Sequence, residues 1–146
     1  MRTRSVAMTI VAISVGVFLI LSVGAASGTA RVTSKRVTPR IMTCAGKTVV
    51  EPKSYVITCA DANSLLVKMH WTWWTPTFAT ALATYSANDC TPNCAAGKFH
   101  NYPARVSFSG TERTKYGPLY SRLEVFYAIG SKVHSFWATL PLSPLA

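Results

Sequence analysis

Acidic side chains are scarce. Five Asp and Glu stand against fifteen Lys and Arg, and the five show no paired spacing of the kind that glycoside hydrolysis uses. The chain has no Gly-x-Ser-x-Gly elbow, no Gly-rich phosphate loop and no His-Glu-x-x-His zinc helix. It has no Cys-x-x-Cys pair, which argues against a thioredoxin-like redox centre. The acceptor pattern Asn-x-Ser/Thr fails at Asn63, Asn88, Asn93 and Asn101. There is no internal repeat, and no helical periodicity follows residue 24. These absences point away from an enzyme and imply no cofactor. The three histidines, His70, His100 and His134, are scattered, so a cell-surface hydrolase survives only as an alternative.

What is present begins at the N-terminus. Arg2 and Arg4 precede an uncharged, mostly apolar run from Val6 to Gly24, and the small residues Ala-Ala-Ser-Gly-Thr-Ala follow at 25–30. Basic, apolar and small, in that order, is a signal peptide. It predicts a leader over 1–30, a basic linker over 31–43 and one domain over 44–146. The alternative is an uncleaved single-pass anchor, because the run approaches the roughly 20 residues that span a bilayer. Against it, Arg31, Lys35, Arg36 and Arg40 would have to be exported beside a retained anchor. Those four residues also offer contacts to anionic envelope polymers or lipid head groups. From Ile41 onward nine Lys/Arg face five acids, a modest excess that, with export, argues against nucleic acid as a partner.

After the leader the chain alternates with period two, the mark of strands. The runs are 54–59, 64–74, 77–85, 104–111, 119–129 and 132–140, with turn residues between them at 60–63, 75–77, 88–94, 101–103, 116–118 and 130–132. In 64–74, Leu65, Val67, Met69, Trp71 and Trp73 share one face. In 119–129, Leu119, Leu123, Val125, Tyr127 and Ile129 do so. Short strands at close spacing predict an all-β antiparallel sandwich or small barrel.

Cys44, Cys59, Cys90 and Cys94 are an even set in an exported chain, which predicts two disulfides. Three pairings exist. Cys44–Cys59 with Cys90–Cys94 is favoured, since the Thr-Pro-Asn bend between the latter two brings them together. A metal site built from Cys90, Cys94 and His100, with Cys59 or His70, is the rival. Zinc modules bring paired short-gap motifs, and Cys44 and Cys59 do not form one.

The Trp-Thr-Trp-Trp run at 71–74 is the strongest ligand-binding hint. Alternation buries Trp71 and Trp73 and leaves Trp74 on the opposite face with His70. Trp74, His70 and His100 are therefore the candidate ligand contacts, with no metal implied. In the turn at 60–63, Asp61 and Asn63 suit an Asx-type hydrogen bond better than a calcium site.

The stretch 52–109 carries Pro-x-x-Tyr-x-x-x-Cys-Ala-Asp-x-Asn, then the Trp-rich strand, then Asn-Asp-Cys-x-Pro-x-Cys-Ala-x-Gly-x-Phe and Tyr-Pro. It resembles a group of small exported actinobacterial proteins that share this pattern. The resemblance implies export and a common scaffold, with no activity attached. Ala62 stands where the pattern carries glycine, which implies a different turn there. The expectation is an exported or cell-envelope protein acting as a binding or structural module, with a cell-surface hydrolase and a membrane-anchored accessory protein as alternatives.

Overall fold

The structure, a computed structural model, describes residues 37–144. The predicted leader and the basic residues Arg31, Lys35 and Arg36 lie outside the described residues. Among those described, no helix is long and apolar enough to cross a membrane.

Eight strands follow in order: β1 Ile41–Met42, β2 Thr48–Val49, β3 Tyr55–Val56, β4 Ser64–Trp74, β5 Phe78–Asn88, β6 Phe99–Thr114, β7 Gly117–Ile129 and β8 Lys132–Thr139. β1 and β2 form a small ribbon. β3 to β8 form one antiparallel sheet in sequence order, curled into a half-barrel. The all-β antiparallel expectation holds, in the form of an open half-barrel. The two-residue strands β1 and β2 are too short to supply the second layer of a sandwich. Three connections are very short: 75–77, 115–116 and 130–131. Short links leave consecutive strands no partner but each other.

The core lies on the concave side. Over residues 104–108 of β6 and 122–126 of β7 the simple alternation holds, whereas the adjacent Leu119 and Tyr120 are both fully buried. Val106, Phe108, Leu123 and Val125 are fully buried, while Arg105, Arg122 and Glu124 point out. Leu119 is buried as expected, but Ile129 is 45% exposed because its strand runs past the core. β5 owes its Ala-rich character to its neighbour. Ala81 lies opposite Trp71 and Ala79 opposite Trp74, so two small side chains leave room for two indoles.

β4 departs from the expected pattern. Its inward members are Leu66 and Met69, fully buried, then Trp71 and Trp74, packed against the core. The steps between them are three, two and three residues. The register with β5 shifts between Val67 and His70 and again between Trp71 and Trp73. Lys68 sits inside the first shift with φ +52°. Each extra residue in a bulge turns every later side chain to the opposite face. Leu65, Val67 and Trp73 are thereby displaced from the predicted inward face.

Two further differences concern the chain's margins. The Asn-Tyr-Pro segment at 101–103, expected as a turn, is inside β6 and pairs with β5 at Thr84–Pro103. β7 pairs with β6 only from Ala104 onward, so Pro103 lies where β6 is an edge. There its missing N–H breaks no ladder. Pro39, Ile41 and Met42, expected in the linker, are fully buried. Arg40 bridges to Leu119 of β7, and the Tyr55 hydroxyl donates to the Met42 carbonyl at 3.1 Å. Burial pushes the Tyr55 phenol up to about 12.

Candidate functional site

The cysteines pair as favoured, Cys44 with Cys59 and Cys90 with Cys94, and no described cysteine is free. Both sulfurs of the Cys90–Cys94 segment are thus bonded to each other, which removes them as thiolate ligands. Among the described residues no group of three His, Cys, Asp or Glu side chains converges.

His100 meets an acid. Its Nε2 lies 2.9 Å from Asp89 Oδ2. Asp89 also accepts the backbone N–H groups of Lys98 at 2.9 Å and Thr91 at 3.1 Å. His100 first, then these amides, hold the Asp89 carboxyl down to about 2. Asn88 ties the same segment from the other side, donating to the Cys94 carbonyl at 2.7 Å and to Asn63 Oδ1 at 2.9 Å. With its oxygens committed to these donors, Asp89 organises the clipped connection between β5 and β6. Among the described residues, no Ser, Thr or Cys side chain hydrogen-bonds to any histidine.

The other turn motif behaves as expected. Asp61 accepts both the backbone N–H and the side-chain amide of Asn63, at 3.1 and 2.8 Å. Ala62 nevertheless takes φ +52°, the left-handed region glycine favours. The turn keeps a glycine-like backbone without the glycine.

The tryptophans exchange the expected roles. Trp74 is turned inward. Its indole N–H donates to the Pro39 carbonyl at 2.9 Å, and its ring packs edge-on against Trp71 at 4.5 Å and Tyr120 at 5.6 Å. Trp73 is 61% exposed on the convex face. The second bulge of β4 causes the exchange. His70, as expected, is exposed on that convex face, opposite Leu82. His100 lies on the other side of the sheet, in phase with Ala104 and Val106, so the three candidate contacts do not come together.

The convex face around Trp73 has the properties of a site. Trp73, Thr72, Thr80, Leu82 and Arg105 line a cleft of about 450 Å3. The register builds it. Trp73 pairs with Thr80, and Leu82 pairs with Arg105 on β6. No carboxylate lines the cleft, and every lining residue belongs to β4, β5 or β6, so no loop closes over it. An indole face, a guanidinium and two hydroxyls stand together there. The indole stacks on the C–H face of a sugar ring, the guanidinium takes a carboxylate or phosphate through two parallel hydrogen bonds, and the hydroxyls donate or accept. Alternation alone misplaced Trp73, because nothing in the residue pattern marks the bulges.

A second aromatic group, also missed from sequence, gathers on the concave side at one end of the sheet. The Tyr85 ring lies 4.9 Å from Tyr127 and 5.3 Å from Phe136, Tyr102 lies 5.5 Å from Tyr127, and His134 stacks on Tyr127. These rings fill one another's space, which suits the closing of a core end better than the holding of a ligand. No family model, curated protein or solved structure matches the chain.

Proposed function

We propose that this protein is an exported cell-envelope binding module that holds an anionic saccharide polymer on the convex face of its sheet. The observation that carries the proposal is the Trp73–Arg105 cleft: an exposed indole beside a guanidinium, flanked by threonine hydroxyls and free of acids. An unroofed cleft on a sheet face suits a chain passing across it better than a small molecule that must be enclosed. The basic leader-to-domain segment, including Arg40, adds screened attraction for the same anionic polymer. Export is supported by the leader-like N-terminus, by the resemblance to small exported proteins and by two disulfides, which are consistent with an oxidising compartment.

The test is binding of polygalacturonate, an acidic polysaccharide, against neutral dextran, followed by affinity electrophoresis and by tryptophan fluorescence. Polygalacturonate retards the wild type and dextran does not. Trp73→Ala abolishes the retardation, and Arg105→Gln weakens it most at low salt. Retardation unchanged by Trp73→Ala would overturn the reading.

A further inference from the structure

The two edges of the sheet are treated differently. On the β4 side, β3 covers Leu65 and Leu66, the Met69 N–H donates to the Lys53 carbonyl at 3.0 Å, and two bulges distort the strand beyond. These are the usual protections of an edge. On the other side, β8 runs for eight residues, Lys132–Thr139, with no bulge against β7 and no proline. Among the described residues no strand pairs with its outer side. An edge this long and regular presents a row of N–H and C=O groups ready for another strand.

The side chains of β8 specify which strand. Val133, 73% exposed, and Trp137, 72% exposed, are the two most exposed large apolar residues among those described. Both lie on the convex face, two positions either side of Ser135. We infer that β8 pairs antiparallel with β8 of a second copy about a two-fold axis through Ser135. That axis sets Val133 of each copy opposite Trp137 of the other, a β-branched residue against an aromatic one, which is a favourable cross-strand pair. It sets His134 opposite the partner's Phe136. Lys132, the strand's only Lys or Arg, faces the partner's Ala138, so the two lysines lie at opposite ends. A register one pairing step away loses the Val133–Trp137 match. Because β8 is the only long, regular unpaired edge among the described residues, pairing closes at two copies and does not propagate. The Trp73 cleft lies toward the opposite side of the sheet, so the dimer carries two clefts, both free.

Sedimentation equilibrium over a concentration series, on the chain as an exporting host releases it, tests the inference. The wild type is expected to dimerise. Val133→Lys and Trp137→Glu are each expected to weaken dimerisation by at least about tenfold, with circular dichroism unchanged because both side chains are exposed. The double variant is expected to recover the dimer, since each new lysine then faces the partner's new glutamate. A wild type that stays monomeric, single variants that dimerise as well as the wild type, or a folded double variant that fails to recover would each overturn it.

Discussion

Trp73 and Trp74 are neighbours in the chain and lie on opposite faces of the sheet, one 61% exposed and the other donating its indole N–H to Pro39 at 2.9 Å. Their stability roles should therefore differ sharply. Trp74→Ala removes a core ring and leaves the Pro39 carbonyl without its donor, at a cost of about 3 kcal/mol or more. Trp73→Ala is expected to stay within about 0.5 kcal/mol of wild type. Urea unfolding of the two variants checks this, and comparable losses would contradict the assigned faces.

Asp89 makes the clipped connection acid-sensitive. Its carboxyl lies near 2 in the folded chain against an ordinary value of 3.8, so its contribution is complete above the ordinary value and is lost as pH falls from there towards 2. The Lys98 amide, which donates to Asp89 at 2.9 Å, should report the loss in an NMR titration. His100→Ala removes the largest stabilising contact of the carboxylate and should move that midpoint upward. A midpoint indifferent to His100 would sink the assignment.

The two disulfides should contribute unequally. Cys44–Cys59 closes a separation of 15 residues and Cys90–Cys94 one of 4. On the chain-entropy estimate these correspond to about 3 and about 2 kcal/mol. The Cys44→Ser/Cys59→Ser variant should have the lower guanidinium midpoint. The Cys90→Ser/Cys94→Ser variant should retain more, because Asn88 and Asp89 still hold the segment by hydrogen bonds. Thiol titration of the unfolded, unreduced wild type should find no free thiol.

Much of this architecture is legible in the residues. Period-two patterning locates the six strands of the sheet, because the inward side chains Val106, Phe108, Leu123 and Val125 alternate with charged or hydroxylated ones. Local chemistry also speaks clearly where it is self-contained, as in the Asx bond at Asp61 and the bend between Cys90 and Cys94. What escapes is decided by neighbours. The bulges at β4 depend on how β5 packs beneath them, and Lys68 gives no warning of a φ of +52°. The ribbon at Ile41–Met42 is too short to show a period. Pro103 looks like a turn residue until its place on an edge is known. For the candidate site the consequence was large: a single inserted residue moved the exposed indole from Trp74 to Trp73.

The anchoring of Pro39 and Arg40 has a bearing on the order of assembly. Every strand from β4 to β8 meets the one made just before it, so the sheet can grow hairpin by hairpin as the chain emerges. Arg40 breaks that rule. Its backbone partners are Pro118 and Tyr120, which emerge only after most of the domain has been made. The segment that opens the domain must then wait for β7 to find its place, and the chain stays unlocked at that end until β7 arrives.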